Sequence, residues 1–187
     1  RAEPAEDGSY RITGQKIFIT WGDHDLADNV CHLVLARLPG APAGTRGISL
    51  FLVPKWLPDA EGHPGPANSL RVVSLEHKMG LHGSPTAVME YDGAAGWLIG
   101  EEQGGLAAMF TMMNNARLGV GIEGIATAEA AFQAALAYAR ERHQGRTVTG
   151  SPTIIGHPDV RRNLLTMAAL TRSARAICLD CALAVDM

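Results

Sequence analysis

A hydroxyl and an aromatic ring stand two positions apart at the end of a β-type run, KIFITWG. If the run is a regular strand, Phe18 and Thr20 share one face, and Ile17, Ile19 and Trp21 share the other. The first pair suits a core that holds an aromatic ring and a satisfied hydroxyl. The same pair would also give a planar cofactor ring an apolar wall and one hydrogen-bonding group. This stretch alone leaves both interpretations open.

The next segment, GDHDLADN, groups four metal-ligating side chains: Asp23, His24, Asp25 and Asp28. A site for a hard metal ion is one interpretation. We prefer a solvated turn between two strands, because Gly, Asp and Asn are frequent turn formers. None of the seven histidines pairs with a second one at metal-binding helical spacing. The sequence therefore predicts a turn and no metal site.

Two of the three cysteines, Cys178 and Cys181, have the spacing of a redox or zinc motif. They lie in an alanine- and leucine-rich helical segment that has no second pair of ligands. We therefore expect two buried or idle thiols. The odd cysteine count and the lack of a visible signal peptide suggest a reducing, cytoplasmic location.

Residues 119–124, GVGIEG, match the G-x-G-x-x-G pattern of dinucleotide-binding proteins. That pattern needs a preceding strand and a βαβ unit. The preceding segment, LAAMFTMM, has the apolar spacing of a helix instead, and an alanine-rich helical segment follows. We therefore expect glycines inside a helix that let another group approach closely, with a turn at Asn114 and Asn115 as the alternative.

Arginines supply the other candidate binding groups. Arg117 interrupts an otherwise apolar segment, and a buried arginine needs a partner. That partner is either a carboxylate elsewhere in the protein or an anionic or carbonyl group of a ligand. A basic cluster follows where the long helix is expected to end, formed by Arg140, Arg142, His143 and Arg146. Interaction with the helix C-terminus is the simpler explanation, and a phosphate clamp is the alternative.

The composition limits the classes of protein that need to be considered. The chain has 187 residues, of which 47% are hydrophobic, and a net charge of −3 from 16 basic and 19 acidic residues. A packed core is therefore expected, and the charge argues against a nucleic-acid-binding protein. No apolar run approaches the ~20 residues of a membrane span. Neither a signal peptide nor an initiator Met begins the sequence, so we expect a piece of a longer protein.

The two halves of the chain have different apolar periods. Residues 1–100 contain short β-type runs between Gly- and Pro-rich turns, such as NVCHLVLARL, RGISLFLVPK and TAVMEYDG. Residues 101–187 carry apolar residues at helical intervals in two long segments, the second of which begins with Pro158 and Asp159. The predicted fold is α+β with two domains: an antiparallel β-barrel or sandwich, then long antiparallel helices. Two helices alone leave much apolar surface bare. Either further helices are missing, and these two are part of a four-helix bundle (a partial four-helix bundle), or the helices pair with another subunit.

Several segments, taken in their order along the chain, resemble the acyl-CoA dehydrogenases. They are DGSYRITGQKIFITWGDHDLADN, GISLFLVPK, HKMGLHGSPTAVMEYDG, WLIGEEQGGLAAMF and NNARLGVGIEGIATAEAAFQAALAYARERHQGR. The resemblance covers nearly the whole chain. It corresponds to the middle β-barrel domain and the first two helices of the C-terminal helical domain. The segments KIFIT and HLVLARLPGAP are most similar in sequence to the branch that contains methylmercaptopropionyl-CoA dehydrogenases.

The resemblance implies FAD as the cofactor and an acyl-CoA thioester as the substrate. In the family, a glutamate removes the α-proton, and the β-hydrogen passes as hydride to flavin N5. The electrons then leave to an electron-transfer flavoprotein. The resemblance also implies a homodimer or homotetramer.

The family's strand motif, Trp-Ile-Thr-Asn-Gly, corresponds to FITWG in this sequence. By resemblance, Phe18 takes the aromatic place beside the flavin ring and Thr20 hydrogen-bonds near N5. Trp21 stands where the family usually has Asn, and we leave it out of the site. Arg142, and more weakly Gln144, would reach the FAD diphosphate of a neighbouring subunit. The family usually has an aromatic residue where Gln144 stands, which weakens the Arg142 assignment.

The resemblance also assigns substrate contacts. Ser84, in LHGSPT, would lie near the CoA moiety, and an arginine at the Arg117 position lies near the active site. Some members carry their catalytic base just before that arginine, but Ala116 stands there. In most members the base lies far downstream, so we expect it beyond Met187. We therefore expect this chain alone, which also lacks the family's N-terminal helical domain, to be inactive.

Two other functions stay open at this point. One is a non-catalytic flavin- or CoA-binding homologue that acts as a binding or assembly module. The other is acyl-CoA oxidase-like chemistry, which differs in letting oxygen reach the reduced flavin. A glutamate in the expected downstream region would support the enzyme, and its absence would favour the module.

Overall fold

The computed structural model describes residues 1–187, which is the whole chain. They form two compact units, Arg1–Thr111 and Met112–Met187. The first unit consists mainly of strands, and the second consists mainly of helices. The domain boundary expected at residue 100 stays a prediction.

The first unit contains eight strands and one short 3₁₀ helix, Thr45–Gly47. The strands are β1 Ala2–Pro4, β2 Tyr10–Thr20, β3 Cys31–Arg37, β4 Ile48–Pro54, β5 Trp56–Pro58, β6 Pro64–Ala67, β7 Leu70–Leu75 and β8 Thr86–Ile99. The main sheet has the order β1-β2-β8-β4-β3, with β7 also paired to β8, and every pairing is antiparallel. β5 and β6 form a separate hairpin. The predicted antiparallel β architecture is confirmed.

The longest strand, β8, belongs to both halves of the main sheet. Its first part pairs with β2 and β7, whereas its last three residues pair with β4. Gly96 lies where β8 changes partners, and a Cβ there would be only 2.8 Å from the Val53 side chain. A residue without a side chain is therefore needed for the two strands to approach at this point.

The core of the first unit is formed by apolar side chains from β2, β3, β4 and β8. Ile12, Phe51, Val53 and Met89 are each at most 2% exposed. The Tyr10 ring packs edge-on against Phe51, with 5.0 Å between the ring centroids. Burial of each large apolar side chain contributes about 1.5–3 kcal/mol, so this cluster is the main source of stability in the first unit.

One polar side chain links two strands of this unit through their backbones. Asn68 Nδ2 donates to the carbonyl oxygens of Pro54 in β4 and Ala95 in β8, both at 2.8 Å. Asn68 Oδ1 accepts from the Ala95 N–H, also at 2.8 Å. These bonds satisfy backbone groups that the sheet pairing leaves unpaired.

The second unit is built on two long helices. Helix α1 spans Gly105–Glu141, and its first residues belong to the first unit, whereas α2 spans Pro158–Asp186. A short 3₁₀ helix, Ile154–Gly156, precedes α2. Pro158 opens α2 and Asp159 lies in its first turn, as predicted. Neither helix combines the length and the hydropathy that crossing a membrane requires.

The two helices of the second unit pack antiparallel, as predicted. Glu129 of α1 pairs with Arg175 of α2 at 3.1 Å. Nearer the start of α1, a Cβ at Gly121 would be 3.1 Å from the sulfur of Cys178, near the end of α2. Contacts that advance along one helix while they retreat along the other define the antiparallel arrangement.

The helix pair buries few of its own side chains. Ile125, Ala139, Leu164 and Thr171 are at most 9% exposed. Many large apolar side chains of α2 remain more than half exposed, among them Leu165, Leu170, Ile177, Leu179 and Leu183. The expectation that two helices leave apolar surface bare is confirmed.

Candidate functional site

The end of β2 contains a β-bulge that sequence periodicity does not reveal. Lys16 pairs with Met89 and Ile19 pairs with Ala87, so β2 has one residue more than β8 over this interval. Phe18 has a left-handed backbone, with φ of 60°. Such a bulge interrupts the alternation of side chains between the two faces of a strand.

The bulge changes which side chains point outward. Phe18 is 66% exposed and Thr20 is exposed, so the interpretation of this pair as part of the core is wrong. Ile19 lies on the opposite face, as the alternation predicts, and packs against the core. Ile17 is 57% exposed, so its predicted placement on the same face as Ile19 is wrong. The inserted residue turns Ile17 outward beside Phe18. The strand therefore presents two adjacent apolar side chains to its surroundings.

The segment after the bulge is held against the start of β8. Thr20 pairs with Thr86, and the Trp21 N–H donates to the Pro85 carbonyl at 3.0 Å. Trp21 also has a left-handed backbone, with φ of 55°. Ser84 is half-buried and lies two residues before Thr86. The structure therefore brings Phe18, Thr20 and Ser84 to one end of the first unit.

A buried histidine contacts the same segment. His32 lies on the inward-facing side of β3, with Nε2 2.7 Å from the Gly22 carbonyl oxygen and Nδ1 2.7 Å from the Tyr91 hydroxyl. Burial lowers the pKa of His32 below its usual 6.5, against the opposing effects of the Gly22 carbonyl and Asp23. Burial also raises the pKa of Tyr91 to about 12. Both side chains are therefore neutral near pH 7.

Sequence reasoning missed this histidine. The signal available was a histidine in phase with the inward-facing Val34 and Ala36 of β3. A buried imidazole at such a position requires hydrogen-bond partners. Those partners, Gly22 and Tyr91, lie 10 and 59 residues away along the chain, so the sequence does not identify them.

The acidic segment after β2 is a turn held by side chains. Asp23 accepts a hydrogen bond from the Lys55 ammonium at 2.6 Å. Asn29 donates to the Trp56 carbonyl and accepts from the Trp56 N–H, at 2.8 and 2.9 Å. No group of three His, Cys, Asp or Glu side chains in the chain is arranged to hold a metal ion. The interpretation as a turn is confirmed.

The candidate residues of the second unit lie far apart, on α1 and directly after its end. Arg117 is exposed on α1, so the premise that it is buried is wrong, and its Nη1 donates to Asn114 at 3.4 Å. Arg142 follows the last residue of α1 and is exposed. Gln144 is exposed, and its carbonyl accepts from His157 at 3.0 Å. At about 1.5 Å per residue, Arg117 and Arg142 are roughly 37 Å apart along the helix axis.

The G-x-G-x-x-G match does not form a nucleotide-binding turn. Gly119, Gly121 and Gly124 all lie inside α1, so the dinucleotide-binding alternative and the turn at Asn114 are wrong. Only Gly121 has a close neighbour, the sulfur of Cys178. That contact supports the interpretation that a glycine permits close approach. Cys178 is half-buried, and both it and the exposed Cys181 are free thiols.

A family model and two relatives of known name point to the same protein family. Residues 103–187 match the family model for the acyl-CoA dehydrogenase C-terminal domain. Over 94% of its length, the chain is 58% identical to a 3-methylmercaptopropionyl-CoA dehydrogenase from Ruegeria pomeroyi. Over 95% of its length, it is 45% identical to the broad-specificity linear acyl-CoA dehydrogenase FadE5 from Mycobacterium tuberculosis. The chain spans 31% of the length of each of these relatives.

A solved structure extends the likeness to the fold. Butyryl-CoA dehydrogenase from Megasphaera elsdenii matches with a TM-score of 0.74 and 27% sequence identity, over 96% of this chain and 42% of that one. The family model covers the helices, and the two relatives and the solved structure also cover the strands. By sequence and by fold, the chain belongs to the acyl-CoA dehydrogenase family.

Proposed function

We propose that these residues form the barrel domain, over 1–100, and the first two bundle helices, over 101–187, of an FAD-dependent acyl-CoA dehydrogenase. That enzyme oxidises an acyl-CoA to the 2,3-enoyl-CoA. The observation that carries the proposal is the exposed pair of Phe18 and Thr20 at the end of β2, in a chain of this family. Because the chain spans 31% of its two relatives, the activity is proposed for the protein to which these residues belong.

The end of β2 fits a flavin ring. The Phe18 ring is 66% exposed, so it offers an apolar surface that the first unit does not cover. The Thr20 side chain is also exposed, and its hydroxyl has no hydrogen-bond partner within the chain. A planar ring with polar edge atoms can use both groups. When bound, FAD would supply the acceptor at N5 for the hydride that leaves the substrate β-carbon.

Each candidate residue has a distinct role in this proposal. Phe18 packs against the flavin ring, and the Thr20 hydroxyl donates a hydrogen bond near N5. Ser84, which the pairing of Thr20 with Thr86 brings to the same end of the barrel, contacts the CoA moiety. Arg117 contributes to substrate binding. The catalytic base is proposed to come from outside these 187 residues.

Arg142 and Gln144 are proposed to contact the FAD diphosphate of a neighbouring subunit, in a homodimer or homotetramer. Their exposure and the distance of roughly 37 Å between Arg117 and Arg142 support this assignment, since the two arginines then serve different copies of the site. Electrons are proposed to leave to an electron-transfer flavoprotein. The proposed cytoplasmic location is supported by the three free cysteines.

The first substrate to test is 3-methylmercaptopropionyl-CoA, because the relative at 58% identity is named for it. Linear acyl-CoAs come next, because FadE5 is named for those. Purified full-length protein is loaded with FAD and titrated with each acyl-CoA under anaerobic conditions. We expect the visible flavin absorbance to bleach and the enoyl-CoA to form in equal amount.

A substitution of one side chain tests the assignment of Thr20. Thr20→Ala is expected to slow flavin bleaching about 10-fold, because one hydrogen bond of about 1.4 kcal/mol is lost from the transition state. Thr13→Ala, on the same strand, is the control and should bleach at the wild-type rate. Equal rates for the two variants would remove Thr20 from the site.

Other outcomes would favour the alternative functions. A protein that binds FAD but is bleached by no acyl-CoA acts as a binding or assembly module, and the dehydrogenase proposal is then wrong. Bleaching followed by rapid recovery of the absorbance in air, with formation of hydrogen peroxide, identifies oxidase-like chemistry instead.

A further inference from the structure

The heavy-atom positions around His32 fix the direction of its hydrogen bonds. The Gly22 carbonyl oxygen can only accept a hydrogen bond, so the hydrogen must be on Nε2 of His32. In a neutral imidazole, Nδ1 is then an acceptor, and the Tyr91 hydroxyl must donate to it. The result is a directed chain of two bonds, from Tyr91 through His32 to the Gly22 carbonyl.

These two hydrogen bonds connect strands of the first unit that are not paired with each other in the sheet. In the sheet order, β8 and β4 separate β3 from β2. His32 on β3 nevertheless reaches the segment directly after β2, and Tyr91 on β8 supports it. One further side chain makes a similar link, since Lys16 of β2 donates to the Leu35 carbonyl of β3 at 2.8 Å. Hydrogen bonds to β3 thus hold β2 and the segment after it, although β3 is not a neighbour of β2 in the sheet.

Gly22 is a position that has no free space for a side chain. A Cβ at this residue would lie 2.8 Å from the Met89 sulfur and 3.0 Å from the Ile19 side chain. The backbone therefore packs directly against the core, and its carbonyl points at His32. Gly22 comes two residues after Thr20, and the Trp21 N–H is bonded to Pro85. The direction of the backbone at Gly22 consequently limits the position of Thr20.

We propose that His32 is a positioning residue for the flavin-facing end of β2. Tyr91 orients the His32 ring, and His32 donates a hydrogen bond to the Gly22 carbonyl. This bond holds the Thr20 hydroxyl in the position from which it would donate a hydrogen bond near flavin N5. The inference rests on the proposed function, since it assigns a task to a residue that touches neither flavin nor substrate. His32 acts only through Thr20.

The proposal predicts a specific loss in the FAD-loaded full-length protein. His32→Leu removes both hydrogen bonds, and we expect the limiting rate of flavin bleaching at saturating acyl-CoA to fall by up to about 10-fold, no more than in Thr20→Ala, because the Thr20 hydroxyl is the one reacting group that loses its position. The acyl-CoA concentration for half-maximal rate should change less than threefold. Without substrate, the visible absorbance spectrum of the bound flavin should shift in the same direction in His32→Leu as in Thr20→Ala, and a shift in Thr20→Ala alone would contradict the proposal. His32→Gln, which keeps an N–H donor, should recover much of the rate. His63→Leu, at an exposed histidine of the β5–β6 turn, is the control.

A double substitution separates positioning from general damage to the fold. If His32 acts through Thr20, the double variant His32→Leu/Thr20→Ala should bleach as fast as Thr20→Ala alone, because the group to be positioned is already gone. If the two losses multiply instead, His32 acts independently of Thr20 and the proposal is wrong. A His32→Leu rate within twofold of wild type would overturn it as well.

Two further results keep the test decisive. If His32→Leu does not fold, Tyr91→Phe replaces it, because that change removes one hydroxyl and keeps the ring contact with His32. Tyr91→Phe should slow bleaching by roughly threefold or more, and an unchanged rate would contradict the proposal.

If wild-type protein does not bind FAD at all, the proposed function fails and the proposal fails with it. If wild type bleaches normally while the His32 series shows no loss, only the positioning role is wrong.

Discussion

The first unit, Arg1–Thr111, which is called the barrel below, and the helix pair of the second unit differ in how completely each buries its own apolar side chains. In the barrel, Phe51, Val53 and Met89 have no exposed surface. In the helix pair, Ile125 is 9% exposed and Leu164 is 8% exposed, and these are its most buried large side chains. A unit with a dense core can hold a surface segment in one geometry, because any movement disturbs close packing. The barrel can therefore set the shape of the β2 end with its own residues.

The largest expected difference between the two units is in the free energy of unfolding that is lost when a buried isoleucine is replaced by alanine. Ile12→Ala in the barrel should destabilise the chain by about 3–4 kcal/mol, and Ile125→Ala in the helix pair by about 1–2 kcal/mol, since a cavity costs most where the surroundings cannot collapse. All three tryptophans lie in the first unit, so their fluorescence follows the barrel during urea unfolding. Circular dichroism follows the helices. Equal losses at the two positions would show that the two units are equally well packed.

A smaller effect concerns pH, because the barrel buries a histidine with a lowered pKa. Below about pH 6.5, the unfolded chain binds a proton that folded His32 does not, so stability should fall as the pH drops and level off below the lowered pKa. His32→Gln should lose this part of the pH dependence, whereas His63→Gln, at an exposed histidine between β5 and β6, should keep it. Urea midpoints between pH 7.5 and pH 5 measure the difference. Parallel profiles for wild type and His32→Gln would mean that His32 is not buried in neutral form.

The regular elements could be predicted because each leaves a repeated pattern in the sequence. Alternating apolar runs between turns marked the strands, and the helical period marked α1 and α2. The same logic rejected the glycine motif at residues 119–124, since a helical segment precedes it. In each case, the pattern repeats over many residues that share one regular backbone conformation, so the sequence indicates that conformation.

The details that shape the candidate site could not be predicted in the same way. The bulge depends on one inserted residue and on the positive φ of Phe18, and a two-residue period cannot show where such an insertion falls. The role of His32 depends on partners from two other segments of the chain. Arg117 stands in an apolar stretch of α1 yet is exposed, because the helix pair covers only part of its surface. Long-range contacts decide all three features.

The central claim is that the bulge presents Phe18, and not simply an apolar surface, to a flavin ring. Ile17 is the natural control, since it is adjacent, apolar and similarly exposed, at 57% against 66% for Phe18. The most direct measurement is the dissociation constant for FAD of the full-length apoprotein, followed by flavin fluorescence. Phe18→Ala should weaken binding about 10-fold through loss of the ring contact, and Ile17→Ala should change it less than about twofold. Equal losses for the two variants, or no loss for Phe18→Ala, would contradict the account.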